Sequence, residues 1–554
     1  MESISISVKK WNKTIISLSL IIILGLSIRF VYYPFGVPIV IDSFYDFVYA
    51  SKTVFDNGLP IGYSVTNTGW ANFLSFLFLF FDKTNPSQLM DVQRTASIII
   101  STITALPIFF ILRRFVGYKW ALIGSLLLVV EPRLLLISLE GINYSLFFFL
   151  FVLTITFFLK KTSFSLFLSF VCLAFCAIVR YEGLLLVIPM SITYFIKFRD
   201  KKSILRFLGM VAIMVIIILP IGILRMQATD DRCIEYIFGT VCGQDGITNN
   251  ILSGPVWFYS IIVLNEQLTE SHMSNIDDPS IKFHKEAYDD KEGLNIFKVI
   301  NESFSRLAKF LGLALIPYFG FFIVFNVISR IKNWKGFGLN FDSILILSCT
   351  GIMLLPALYA YTRGIDEIRY VLVVLPLLCI VSLSWNKSVS EKILKNRSII
   401  VILIVLILIS SITFIEFNKR DSIHDRESFL ISQKIVELTS VTNTFHQSGY
   451  VKTAVLISDW PILPETSDSG KIVHNFQKIP TKNHHDLAEF ISDSKKYGLK
   501  YLVIDKDNEL FNDLRKNPAG HPYLNKIFDS NNFDFENKFM IYEINYKLFY
   551  DNDK

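Results

Sequence analysis

Apolar runs of about 20 residues, the length that crosses a bilayer as a helix, recur through the first 416 positions of this 554-residue chain. They fall at roughly 14–33, 95–112, 120–138, 145–159, 164–179, 183–196, 206–224, 307–328, 342–360, 370–385 and 398–415. A shorter run, GWANFLSFLFLFF at 69–81, suits a helix lying at the membrane interface. Composition agrees: 18% of residues are charged and 52% hydrophobic, where a soluble domain carries about 25% charge. The spacing predicts a polytopic α-helical membrane protein of about eleven transmembrane helices. Residues 1–416 form its membrane domain, and 417–554 read as a small soluble α/β domain.

Lysine and arginine set the expected orientation. They cluster at Lys9, Lys10 and Lys13, at Arg113, Arg114 and Lys119, and at Lys160 and Lys161. Further clusters stand at Lys197, Arg199, Lys201 and Lys202, at Arg330, Lys332 and Lys335, and at Lys387, Lys392, Lys395 and Arg397. These are alternate loops, so they belong on the cytoplasmic side together with the N-terminus. The first run lacks a small-residue cleavage site and reads as a retained helix. The other side then carries the first outer loop 34–94, a long outer loop 225–306, and the extracytoplasmic C-terminal domain. In that domain YLVID (501–505) and FMIYEINY (539–546) read as strands. DLAEFISDSKKYG (486–498) reads as a helix.

The basic residues are topology signals, so nucleic acid is excluded as a partner. Cys172, Cys176, Cys349 and Cys379 lie in apolar runs as small core residues. Cys233 and Cys242 bracket a polar stretch of the long loop, and an oxidising compartment would allow them to pair. No Cys or His spacing indicates a metal site, and nothing calls for a cofactor.

Residues suited to chemistry stand at the outer helix ends. Asp42 opens the stretch DSFYDFVYA, with Asp46 one turn later. A carboxylate there serves either as a general base for a hydroxyl or as a helix N-cap. Glu131-Pro132-Arg133, Glu140, Arg180-Tyr181-Glu182 and the GIDEIRY turn leading to Arg369 stand at the same level. Each reads singly as a surface charge. Together they suggest one outward cavity in which arginines hold a phosphate. The helices are otherwise nearly free of charge except at these ends.

The early Asp42, the string RYEGLLLVIP from Arg180, RYVLVVLPLLCI from Arg369 and the segment EPRLLLISLEGINYSLFFFL resemble the GT-C superfamily of membrane glycosyltransferases. The nearest group is that of the dolichyl-phosphate-mannose protein mannosyltransferases and aminoarabinose transferases. The resemblance implies transfer of a sugar from a polyprenyl- or dolichyl-phosphate donor to a hydroxyl on a protein, lipid or glycan, with inversion. By the same resemblance Asp42 is the catalytic base and Arg369 and Arg180 meet the donor phosphate. Asp46, Glu131, Glu140 and Glu182 are the further acids of the cavity. Two departures stand out. Gly141-Ile142-Asn143-Tyr144 replaces a turn in which relatives often carry an acid, and no tryptophan-rich WWD-type motif occurs in the C-terminal domain. The first loop also lacks a paired DxD, so an oligosaccharyltransferase is disfavoured and a metal requirement is unsupported. A lipid-linked-sugar flippase, or a family member that binds such lipids without transferring, are the alternative readings.

Overall fold

A computed structural model of the chain describes residues 2–39, 41–59, 67–83, 85–229, 288–289, 293–294, 296–324, 341–362, 365–384 and 397–418. Beyond these it describes 426, 442–446, 475–479, 486–495, 499–504, 514, 517–530 and 540–551. Cys233, Cys242 and the apolar run TAVLIS (453–458) of the expected α/β domain lie outside the described residues. Two compact units emerge. The first holds residues 1–33, 59–73 and 93–419, and the second holds 34–58, 74–92 and 420–554.

In chain order the helices begin with α1 (Glu2–Val31), α2 (Ile41–Phe55), α3 (Gly69–Phe78), α4 (Pro86–Ile103), α5 (Ala105–Phe115) and α6 (Tyr118–Val129). Then come α7 (Pro132–Glu140), α8 (Tyr144–Lys160), α9 (Ser163–Val179), a 3-10 turn (Tyr181–Leu186), α10 (Val187–Lys197) and α11 (Lys201–Thr229). After a two-residue antiparallel pair, β1 (Tyr288–Asp289) with β2 (Gly293–Leu294), come α12 (Ile296–Ala314), α13 (Phe341–Met353) and α14 (Leu355–Thr362). The membrane part closes with α15 (Arg369–Leu372), α16 (Leu375–Ser384) and α17 (Arg397–Asn418).

Within the described residues the apolar runs of the first 416 positions fall mainly on helix, and the chain is a multi-pass membrane protein. Among the described residues, five helices are long and apolar enough to span a bilayer: Asn12–Val31, Pro86–Phe115, Lys202–Leu224, Phe341–Thr362 and Ser398–Asn418. The pair α6 and α7 makes a sixth if counted as one span bent by 46°. The larger expected number counted runs such as α8 and α9, which have 17 residues each. The run 370–385 is also divided, because Pro376 enters its first turn and α15 and α16 meet at Val373 and Val374. Lipid offers helices no hydrophobic drive to associate, so close packing holds them. Phe147, Phe151, Phe158 and Phe170 are fully buried between α8 and α9, and Gly124 admits Leu112 and Leu383 against the α6 backbone.

Side chains meet the backbone groups freed at the α6–α7 break, as an apolar medium requires. Pro132 has no N–H, so the Leu128 carbonyl accepts instead from Glu131 N (3.3 Å). The Glu131 carboxylate takes the N–H groups of Arg133 (2.7 Å) and Leu134 (3.3 Å) as the N-cap of α7. That leaves the Val129 carbonyl without its helical donor, and Arg29 Nη1 of α1 supplies one at 3.0 Å. The Val130 carbonyl accepts from Tyr318 Oη (3.0 Å) and from the Ser411 hydroxyl. At its other end α7 closes on Gly141, whose φ of +73° is the left-handed region that glycine enters without strain.

The second unit carries a five-stranded sheet built from β3 (Thr442–His446), β4 (Asn475–Ile479), β5 (Leu499–Ile504), β6 (Leu524–Asp529) and β7 (Met540–Ile544). The strand order is β4-β3-β5-β7-β6, with β4, β3 and β5 parallel and β7 antiparallel to both neighbours. Helices α18 (Leu487–Ser494) and α19 (Tyr546–Asp551) complete it, and Leu487, Phe490 and Ile491 pack on Leu499, Leu502, Tyr542 and Phe549. This is the α/β domain that the sequence pattern predicts. In the same unit Phe47 of α2 meets Phe78 edge-on at 5.9 Å, and Arg426 donates to the Phe35 carbonyl at 2.8 Å.

Candidate active site

The chemistry-bearing residues of the membrane unit gather where α8 begins and α9 ends. Helix α9 stops at Val179, and Arg180 takes an extended conformation (φ −152°, ψ 125°) while its N–H still caps the Cys176 carbonyl. Gly69 permits this turn to be crowded, since a Cβ there would lie 2.6 Å from the Val179 nitrogen. Asn67 Oδ1 accepts from Tyr181 N at 3.2 Å and holds the start of the 3-10 turn.

Arg180 is the centre of the cluster. Nη2 pairs with the Glu182 carboxylate, and Nη1 reaches Asn143 Oδ1 at 3.4 Å. The guanidinium lies over the Tyr144 ring with its carbon 4.2 Å from the centroid, inside cation–π range. Both partners of the ion pair are sheltered, with side chains 12% and 2% exposed. Burial works against the Arg180 charge, but the Glu182 carboxylate together with Tyr144 and Tyr181 more than offsets it and raises the guanidinium pKa. Two atoms remain without a hydrogen-bond partner: Arg180 Nε, a donor, and Glu182 Oε2, an acceptor.

Arg369 joins through the same tyrosine. Tyr144 Oη donates to the Arg369 carbonyl at 3.3 Å, and the Arg369 guanidinium pairs with Glu367. Tyr361 Oη donates to the Glu367 carbonyl at 3.0 Å and anchors the turn. Asp366, the third charge of the GIDEIRY turn, meets Lys309 of α12 at 3.5 Å. At the other end of α8, Asp342 accepts from both Lys161 (2.7 Å) and Arg114 (3.1 Å). The Arg–Glu cluster and the lysine-bearing ends therefore occupy opposite ends of α8, as the alternation of charge along the sequence predicts.

Glu131 and Glu140 stand at the two ends of α7. Glu131 is buried in the break, with its oxygens on two backbone N–H groups and on Arg133 Nη1 (3.1 Å). Arg133 extends from that pair to the carbonyls of Leu313 (2.7 Å), in the last turn of α12, and Ile316 (2.5 Å), just past it, and lies over the Phe414 ring. These contacts are those of a helix cap. Glu140 is the last residue of α7 and is half-buried. Asp42 and Asp46 belong to the second compact unit, on α2. Asp42 is the second residue of α2 as described, and its side chain lies outside the described residues. Asp46 is 5% exposed.

Sequence reading missed Arg29. It is completely buried within the first apolar run, bonded to Ser138 Oγ (2.9 Å), Ser101 Oγ (3.0 Å) and the Gly25 and Val129 carbonyls (3.1 and 3.0 Å). It stands in the last turn of α1, and the sequence reading did not single it out. The available signal was an arginine inside an otherwise apolar span, a placement that is rare unless the side chain faces the bundle. Cys172, Cys176, Cys349 and Cys379 are buried free thiols, as expected.

The sequence matches no protein-family model and no curated protein. The fold is similar to that of solved archaeal oligosaccharyltransferases. Its solved counterparts include the Archaeoglobus fulgidus oligosaccharyltransferase in the apo form, at TM-score 0.54 and 12% identity, over 89% of this chain and 69% of that one. The archaeal oligosaccharyltransferase AglB from the same organism, in complex with an inhibitory peptide and a dolichol-phosphate, matches at TM-score 0.52 and 12% identity. That match covers 90% of this chain and 70% of the other. ArnT from Cupriavidus metallidurans bound to undecaprenyl phosphate matches at TM-score 0.45 and 11% identity, over 95% of this chain and 97% of that one. At such identities the likeness concerns the fold, and it leaves standing the motif differences that separate this sequence from the oligosaccharyltransferases.

Proposed function

We propose that this protein is a glycosyltransferase that moves a sugar from a polyprenyl- or dolichyl-phosphate donor to a hydroxyl acceptor on the side opposite its lysine-rich loops. The observation that carries the reading is the joining of Arg180 and Arg369 through Tyr144 at one helix end, with a buried donor on Arg180 and a buried acceptor on Glu182 left open. Guanidinium groups suit a lipid phosphate, whose charge grows as the sugar leaves. The reaction is a single displacement. On the sequence resemblance Asp42 is the base that takes the proton of the acceptor hydroxyl; the oxygen bonds to the anomeric carbon, and the bond from that carbon to the phosphate oxygen breaks. The electron pair leaves with the lipid phosphate, which Arg369 and Arg180 stabilise. The acceptor is a protein, a lipid or a glycan. No metal enters the reading.

The test uses the full-length protein in membranes supplied with radiolabelled polyprenyl-phosphate sugar. Asp42→Asn removes the base and should lower the transfer rate at least ~100-fold with donor binding retained. Full transfer by that variant overturns the role of Asp42. Movement of the lipid across the bilayer by the wild type, with no glycosidic bond formed, overturns the enzyme itself.

A further inference from the structure

Tyr144 contacts both arginines, its ring facing the Arg180 guanidinium and its hydroxyl the Arg369 backbone carbonyl. Arg180 already has one carboxylate, Glu182, and Arg369 has Glu367. The two cations and two carboxylates balance. Tyr144 adds attraction without adding charge: its ring face holds the Arg180 guanidinium, and its hydroxyl holds the Arg369 backbone. The side chain is 4% exposed and fixed by Phe148, whose ring centroid lies 5.6 Å away. A carboxylate at this position would set three anions against two cations in a sheltered place, and an incoming phosphate would meet net repulsion.

We infer that Tyr144 is a positioning and specificity residue that holds Arg180 and Arg369 together for a lipid phosphate and keeps the cluster from becoming net negative. This rests on the reading of the cluster as the donor-phosphate site. It goes further in assigning the selectivity for phosphate to an uncharged aromatic. A purely mechanical role for Tyr144 makes the opposite forecast. Glutamate would then serve well, because it offers Arg180 a strong partner.

The experiment measures binding of undecaprenyl phosphate to the full-length protein in nanodiscs for the wild type, Tyr144→Phe, Tyr144→Leu, Tyr144→Trp and Tyr144→Glu. Phe loses one hydrogen bond and should weaken binding ~5-fold. Leu also loses the ring and should weaken it ~30-fold or more. Trp, which keeps an aromatic face, should bind better than Leu, and Glu should be the weakest of the series. In transfer assays the donor KM should rise across the same order while kcat changes little. Glu binding as well as Phe, or Leu as well as the wild type, overturns the inference while leaving the donor site in place. Failure of the wild type to bind undecaprenyl phosphate removes the site and the inference together. If Leu does not fold, the comparison of Trp with Glu decides the matter.

Discussion

Arg29 of α1 donates to the Val129 carbonyl at 3.0 Å, across 100 residues of sequence, and so fills the vacancy that the α6–α7 break leaves in its helix ladder. The same guanidinium bonds Ser138 on α7, so one side chain holds both arms of the bend. Arg29→Met should strand that carbonyl in an apolar interior at a cost of ~1–3 kcal/mol and lower the midpoint of thermal unfolding in detergent. Arg29→Lys keeps a donor and should recover part of the loss. An unchanged midpoint in the methionine variant would show that the carbonyl finds another donor.

Glu131 separates capping from catalysis. Glu131→Gln keeps an acceptor for the N–H groups of Arg133 and Leu134 but ends the ion pair with Arg133. Glu131→Ala ends both and should cost ~1–2 kcal/mol for the cap alone. Transfer per folded molecule should be nearly unchanged in the glutamine variant. A loss of activity with an intact melting curve would move Glu131 into the chemistry.

The Arg180–Glu182 pair should be far less tolerant of losing one partner than of losing both. Arg180→Ala leaves the Glu182 carboxylate buried and uncompensated, which costs ~3–5 kcal/mol. The double variant Arg180→Ala with Glu182→Ala should be more stable than either single one, read from a double-mutant cycle of unfolding midpoints. Additive effects would mean that water already satisfies the carboxylate.

Asp342 supplies the contrast at the far end of α8. Its bonds to Arg114 and Lys161 are partly exposed, and such pairs contribute ~0.2–1 kcal/mol each. Asp342→Asn should lower the unfolding midpoint slightly and leave both KM and kcat for transfer unchanged.

The sequence made the apolar runs legible because lipid enforces length and hydropathy on every helix that crosses it. It also placed β5, β7 and α18, whose alternation and helical spacing survive in a small amphipathic domain. Strand β6 was not legible, since LNKIFD mixes charged and apolar residues on a strand largely open to solvent. Arg180, Glu182 and Arg369 were legible as charges at helix ends. Their union through Tyr144 was not, because an aromatic beside an apolar run reads as core. Arg29 escaped because its reason for being there lies in the broken backbone of another helix, and no local pattern encodes that need.

Helices α8 and α9, 17 residues each, are ~25 Å long at 1.5 Å per residue, against a hydrocarbon core of ~30 Å. On the proposed function, helix ends recessed below the headgroups would meet a polyprenyl-anchored donor sideways through the leaflet, its supply governed by its mole fraction among lipids. Saturation of the enzyme should follow the surface density of the donor and ignore dilution of the vesicles in bulk water.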